Sequence, residues 1–373
     1  MTCQYFGICG SCKLYELSYE EQIAQKKETI REQFEPLGIE DFEFFASKES
    51  HYRARAEFRI WHTNERIDYG MHKMQGHGIV TIKECPKVDA QIFDMMPRLL
   101  AYLQDHELLK RKLYAIEFLS TSQSLLVTLI YHRPIDEAWE QEAKACAQTL
   151  HINIVGRSKK IKKIIGNDFV MEHLQIFDET YRYQILEGGF SQPNTTINQK
   201  MIEWVLNAVH SSRDLLELYC GHGNFTMPLS QKFDKVLATE ISKTSINAAL
   251  TNCELNGIDS IQFVRMSVEE LTAALQKERE FYRLKNVHLD DYDFSHVFVD
   301  PPRAGIDEKS LQFISQFENI IYISCNPLTL KRDLLILTKT FDVVKFAVFD
   351  QFPYTNHIES GIILRRKQTL TNS

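Results

Sequence analysis

The sequence predicts an α/β protein, with a doubly wound parallel sheet in the C-terminal half and, before it, an α+β domain built on antiparallel pairs. Three observations carry that expectation. The apolar runs Val297-Phe298-Val299 and Ile320-Ile321-Tyr322-Ile323 read as buried strands stopping at proline-stiffened polar loops, Asp300-Pro301-Pro302-Arg303 and Ser324-Cys325-Asn326-Pro327. After Gly188-Gly189, helical and strand-like patterns alternate as repeated βαβ units do. A third apolar run, Leu215–Tyr219, leads into the glycine turn Cys220-Gly221-His222-Gly223-Asn224.

Taken in order, residues 1–45 hold a cysteine-bearing stretch and a polar helix with a Leu/Ile stripe from about Tyr15 to Phe34. Residues 46–188 give strand-like runs at Ala54–Trp61, Ile79–Ile82, Leu113–Leu119 and Ser124–Tyr131, with helical periodicity at Ala90–His106 and Glu137–Leu150. Few long crossovers separate these strands, so they pair antiparallel. Residues 189–373 begin with a helix over Gln199–Val209 and the strand Leu215–Tyr219. The strand Lys235–Glu240, a helix to about Asn256, the strand Ile261–Met266 and a polar insertion follow. The strands His296–Asp300 and Ile320–Ser324 flank a crossover helix at Leu311–Phe317. Val343–Asp350 and Ile358–Arg365 have only a turn between them and form a closing antiparallel hairpin. Ligands of such sheets sit beyond the strands' carboxyl ends, so Asp300 and Cys325 face one pocket. A carboxylate and a thiol there point to covalent chemistry on a planar electrophile.

The 373 residues allow two domains, or three small ones, with a sizeable core. No apolar run reaches the roughly 20 residues of a membrane span, and the N-terminus carries no basic or apolar leader, so a cytoplasmic protein is expected. The net charge of −7 argues against a protein that coats nucleic acid indiscriminately. It leaves room for local binding, and two basic runs stand out, His51–Arg59 and Arg157–Lys163. As a strand, the first places Arg53, Arg55, Glu57 and Arg59 on one side and Tyr52, Ala54, Ala56 and Phe58 on the other. Guanidinium forks match phosphates and stack on bases, so that face suits RNA.

Eight cysteines without a secretion signal are no disulfide framework. Cys3, Cys9 and Cys12 form C-x5-C-x2-C in a glycine-containing loop, with Cys85-Pro86 as a possible fourth ligand. Such thiolates suit an iron–sulfur cluster, with zinc as the competing occupant. Cys146 and Cys253 lie in helical patterns and read as core.

The turn Gly221-x-Gly223 lets backbone approach a ligand, and Glu240, ending the next strand, can accept both hydroxyls of a ribose. The turn lacks the third glycine of a pyrophosphate grip and continues Asn224-Phe225. A nucleoside with a cationic sulfonium, S-adenosylmethionine, therefore fits better than NAD. A sulfonium methyl and a strand-end thiol suggest methylation at carbon 5 of a pyrimidine. That carbon is a poor nucleophile until a thiolate adds at carbon 6, and a base must then remove the carbon 5 proton. Cys325 supplies the thiol. Glu359 and His357, both in Phe352–Glu359, are candidate bases, and the residues alone leave the choice between them open.

Seven stretches, in this order, resemble the RNA 5-methyluridine methyltransferase family across both halves of the chain. They are His51–His62, Phe190–Asn194, Leu215–Phe225, Val236–Ile241, Phe298–Gly305, Ile321–Pro327 and Phe349–His357. The resemblance implies a Rossmann-like, S-adenosylmethionine-dependent catalytic domain, with Cys325 as nucleophile and Glu359 as proton acceptor. It places methyl-donor contacts on Gln192, Tyr219, Asn224, Glu240 and Asp300; relatives often have Asn at the place of His222. It implies a flipped T-loop uridine at position 54 of tRNA, or the tRNA-like T-loop of tmRNA, as substrate, with no obligate protein partner. Arg53, Arg55, Phe58 and Arg59 are the expected RNA contacts. The cysteine set, Cys3, Cys9, Cys12 and Cys85, resembles the ribosomal members, which carry a 4Fe-4S cluster but in some cases also an extra N-terminal OB-like barrel that this chain lacks. The catalytic half reads as tRNA-type. The competing expectations are a 23S rRNA uracil-5 methyltransferase, a tRNA-binding folding chaperone, and a DNA cytosine-5 methyltransferase; the last is disfavoured because Ser324, not Pro, precedes the cysteine.

Overall fold

The computed structural model describes residues 1–64, 66–210 and 212–368. After the cysteine-bearing loop, Ser18 and Glu21 form a capping box that starts helix α1 (Tyr19–Phe34). A three-residue strand, β1 (Glu43–Phe45), follows. The next sheet has seven strands: β2 (Arg55–Thr63), β3 (Arg66–His72), β4 (Ile79–Ile82), β5 (Leu113–Ser120), β6 (Leu125–Tyr131), β7 (Asn153–Ser158) and β8 (Ile161–Ile165), in the order β4-β3-β2-β5-β6-β7-β8. Every pair is antiparallel except β6 with β7. Helices α2 (Ala90–Asp105), the one-turn α3 (Glu107–Lys110) and α4 (Glu137–Leu150) cover one face, and α4 makes the β6–β7 crossover. The alternation expected of β2 is present: Ala56, Phe58 and Ile60 are buried while Glu57 and Arg59 face out.

A two-stranded hairpin, β9 (Phe169–Ile176) and β10 (Glu179–Leu186), comes next. Helix α5 (Thr195–Ala208) then leads into an eight-stranded sheet completed by β11 (Asp214–Leu218), β12 (Val236–Thr239), β13 (Ile261–Val264), β14 (Phe294–Val299), β15 (Asn319–Ser324), β16 (Phe341–Phe349) and β17 (Glu359–Arg366). Its order is β1-β16-β17-β15-β14-β11-β12-β13. Helices α6 (Thr226–Ser230), α7 (Lys243–Asn256), α8 (Val268–Leu275), α9 (Glu308–Ile314) and α10 (Pro327–Leu337) complete the crossovers. Strand order reverses between β11 and β14, the switch point where a ligand crevice opens. The final hairpin is antiparallel as expected, but β17 inserts between β15 and β16. That insertion brings Glu359 to the carboxyl end of β15.

Packing crosses two of the expected boundaries. The hairpin lies within residues 46–188, and its apolar face (Val170, Leu174, Ile176, Tyr181, Tyr183, Ile185) shares a core with Ile197, Trp204 and Leu215 of the C-terminal half as well as with Leu119, Leu126 and Val155 of the seven-stranded sheet. The first 45 residues are also no separate unit. Ile30 and Phe34 of α1 pack in the core of the eight-stranded sheet, with the Phe34 ring 4.8 Å from Phe346, and β1 extends that sheet beside β16.

Candidate active site

Strand β11 ends in a turn that must take a left-handed path, with φ of +62° at Tyr219, +56° at Gly221 and +87° at Gly223. A Cβ on Gly221 would meet no atom, so the backbone leaves open space where a ligand can approach. Glu240, just past β12, closes the turn: its carboxylate accepts from Gly221 N at 3.3 Å and Ser242 N at 2.8 Å. Asn224 and Asn198 exchange two side-chain amide hydrogen bonds of 2.8 Å, and Gln192 Oε1 accepts from Gln351 Nε2 at 2.8 Å. Gln192, Asn224 and Glu240 are thus held by neighbours before any ligand arrives.

The reacting groups sit on three adjacent strands. Asp300 follows β14, Cys325 follows β15, and Glu359 opens β17, one residue before Ser360, the register partner of Ser324. Two strand-end loops are stitched together by Asn326 Nδ2 donating to Arg303 O at 3.2 Å and Arg332 Nη2 donating to Ile306 O at 2.8 Å. Between them Gly305, at φ +78°, has no room for a side chain, since a Cβ would lie 2.9 Å from Thr329. Asn326 caps α10 and Pro327 begins it, so the Cys325 thiol lies just ahead of a helix N-terminus.

Burial dominates the electrostatics. The Cys325 thiol is pushed up to about 11 by burial and then by the nearby Glu359 and Asp300. Burial raises Asp300 to about 7 and, together with Asp300, holds Glu359 well above the usual carboxylate range. His357, the rival base, is exposed, and its Nδ1 lies 3.4 Å from Arg303 Nη2. Two residues of this pocket escaped sequence reading. Glu217 in β11 is buried, one carboxylate oxygen has no partner, and burial lifts it to about 8, with Asp300 adding to the rise. A lone acid inside the apolar run Leu215–Leu218 was the available signal. Asn198 gave no signal of its own.

A family model described as tRNA (Uracil-5-)-methyltransferase matches residues 18–367. The chain belongs to the tRNA (uracil-5-)-methyltransferase family. It is 52% identical over 373 residues to the tRNA/tmRNA (uracil-C(5))-methyltransferase of Aliarcobacter butzleri (strain RM4018), covering 98% of this chain and 99% of the relative. The protein of the same description from Acinetobacter baumannii (strain ACICU) is 50% identical over 357 residues, covering 94% of this chain and 99% of the relative. The fold matches the crystal structure of Pyrococcus abyssi tRNA (uracil-54, C5)-methyltransferase in complex with S-adenosyl-L-homocysteine with a TM-score of 0.74. That match has 22% identity and covers 94% of this chain and 84% of the other.

In this tRNA (uracil-5-)-methyltransferase family member the basic face of β2 is partly spent on internal bonds. Arg55 is paired with Glu117 and donates to the Gly189 carbonyl, tying the two halves together. Arg53 donates to Arg55 O at 2.8 Å and lies 5.8 Å from the Phe352 ring. Arg59 is exposed and stacks 3.8 Å over Tyr114. Phe58, expected at an RNA contact, is instead 2% exposed and packs edge-on against Tyr69 and Phe118. The alternation that turns the arginines outward turns this ring inward. Cys3, Cys9, Cys12 and Cys85 lie within electrostatic range of one another, and Cys12 is pushed up to about 11, chiefly by burial. Among the described residues no three His, Cys, Asp or Glu side chains converge on a single-ion site.

Proposed function

We propose that the chain methylates carbon 5 of a T-loop uridine, position 54 of tRNA and its counterpart in tmRNA, with S-adenosylmethionine as donor. The observation that carries the reading is the convergence of Cys325, Asp300 and Glu359 beside the glycine turn. The family membership and the named relatives supply the reaction class. When bound, the donor supplies an electrophilic methyl on a cationic sulfur. Gln192, Tyr219, Asn224, Glu240 and Asp300 would hold it, with the carboxylate of Glu240 suited to ribose hydroxyls and that of Asp300 to a positive charge.

The uridine must leave its stack, which costs a few kcal/mol. The Cys325 thiol gives its proton to solvent as its sulfur bonds to carbon 6, and the ring electrons pass to O4 as an enolate. Carbon 5 then takes the methyl group, Glu359 accepts the carbon 5 proton, and the carbon–sulfur bond breaks to restore the ring. A thiol raised to about 11 is almost wholly protonated at neutral pH, so addition depends on positioning and on the α10 N-terminus. Cys325→Ala should abolish both methylation and covalent trapping of 5-fluorouridine RNA. Glu359→Gln should still trap unmodified RNA as an adduct while product release slows. Turnover by Cys325→Ala would end the mechanism.

Arg53, Arg55 and Arg59 are the RNA contacts in this reading, with Arg55 acting mainly through the junction between the halves. Such a substrate implies a cytoplasmic enzyme. No described helix is long and apolar enough to cross a membrane.

Cys3, Cys9, Cys12 and Cys85 offer four sulfur ligands from two chain segments, a donor set whose chemistry suits a 4Fe-4S cluster. Such a cluster would brace the N-terminal loop. Anaerobic purification with iron and acid-labile sulfide assays tests this, and an iron-free protein at full activity refutes it. The same cysteine set is what favours 23S rRNA as an alternative target; mapping the methylated nucleotide in RNA from a deletion strain separates the two.

A further inference from the structure

The β9–β10 hairpin does more than cover the core. Tyr183 on β10 donates from its hydroxyl to Asn224 O at 2.9 Å and sets its ring edge-on to His222 at 5.8 Å, so the hairpin braces the glycine turn. Directly across the ladder from Tyr183 is Glu172. Its side chain is 8% exposed and lines a cavity of about 20 Å³ shared with Ser191, Gln192, Asn198, His222 and Asn224. That volume holds one water-sized group.

The cavity has an acid and no counter-charge. No Lys or Arg lines it, and burial lowers its imidazole, His222, to about 4, so that ring is neutral at pH 7. Thr195 Oγ1 donates to Glu172 at 3.2 Å, which orients the carboxylate without neutralising it. A buried carboxyl in this setting either keeps its proton or waits for a cation. Burial lifts Glu172 to about 7, within reach of ionisation at working pH. Two of the residues expected to hold the methyl donor, Gln192 and Asn224, form part of the same wall.

We propose that Glu172 is a recognition residue for a primary ammonium, the α-ammonium of S-adenosylmethionine, which enters this cavity while the nucleoside lies over the glycine turn. The inference rests on the donor reading given above. It assigns the β9–β10 hairpin, outside the sheet, a direct part in cofactor selection.

The test is calorimetric titration of the full chain with S-adenosylhomocysteine and with its desamino analogue, in which hydrogen replaces the ammonium. Wild type should bind the analogue about ten- to a hundredfold more weakly, the range for a charge-assisted hydrogen bond. Glu172→Gln should lose a similar factor for S-adenosylhomocysteine and stay within about twofold of wild type for the analogue, which also checks its folding. Thr195→Val should show the same selective pattern, smaller in size. Equal weakening of both ligands, or of neither, in Glu172→Gln overturns the proposal, as does wild type binding both alike, which would leave the cavity to a water. Failure of wild type to bind S-adenosylhomocysteine at all would instead remove the donor reading.

Discussion

Replacing Lys26 by Met should destabilise the protein by about 3–5 kcal/mol, the cost of stranding one member of a buried ion pair. Lys26 Nζ donates to Asp350 Oδ1 at 2.5 Å and to Phe352 O at 3.1 Å, with side-chain exposures of 3% for Lys26 and 0% for Asp350. Methionine keeps the volume and the apolar stem, so the loss is the charge. Asp350 would retain only the Tyr19 hydroxyl at 2.8 Å and its own backbone bond to Phe45 O. On the scale of unfolding entropies for domains of this size, the apparent Tm should fall by roughly 6–20 °C. Scanning calorimetry reads the shift. Adding Asp350→Asn to Lys26→Met should recover part of it, because the stranded charge is gone, whereas Lys26→Met within about 0.5 kcal/mol of wild type would refute the reasoning. The residues after Asp350 lead to Glu359, so methylation turnover should fall more than substrate affinity does.

Three further outcomes follow from the site. Asp300, raised to about 7 by burial, must ionise to face a sulfonium, so affinity for S-adenosylmethionine should rise with pH between about 6 and 8. Binding should release protons, seen as buffer-dependent heats; the neutral S-adenosylhomocysteine should show a smaller slope, and Asp300→Asn should abolish the difference. Arg59→Ala should weaken tRNA binding by a few-fold and reduce its salt dependence by about one counterion, read by filter binding across a salt series, without changing single-turnover methylation at saturation. Gly305→Ala, which puts a Cβ 2.9 Å from Thr329 at φ +78°, should cost a few kcal/mol in urea unfolding and slow addition by Cys325, measured as the rate of 5-fluorouridine trapping.

Much of the C-terminal half was legible because its strands are buried on both faces and end in distinctive loops. Val297–Asp300, Ile320–Cys325 and the glycine turn announce themselves by that contrast of apolar run and polar stop. Strand order was not legible: nothing local to Ile358–Arg365 says that it will slide between β15 and β16, since pairing is decided across the sheet. The hairpin at residues 169–186 alternates polar and apolar like a half-exposed strand pair, so its sequence could not show which half would cover its apolar side. Strand β1 is three residues long, too short for any periodicity. For the site, residue type and strand-end position pointed to Cys325 and Asp300, whereas Glu359 was separated from His357 only by the family resemblance. Glu172 and Lys26 are charged residues in polar-looking segments, and only tertiary burial gives them meaning.

The pairing of Glu43–Phe45 with Ala347–Phe349 joins parts of the chain about 300 residues apart. During synthesis at some 5–20 residues per second, α1 emerges with the lysine and apolar stripe that the fold will bury tens of seconds before the strands that receive it. Until then Ile30, Phe34 and Lys26 have no home, and a ribosome-bound chain must keep them from wrong partners. Strands β16 and β17 therefore complete both the sheet beside β1 and the wall behind the proton acceptor, so a chain cut short before them would lack chemistry as well as stability.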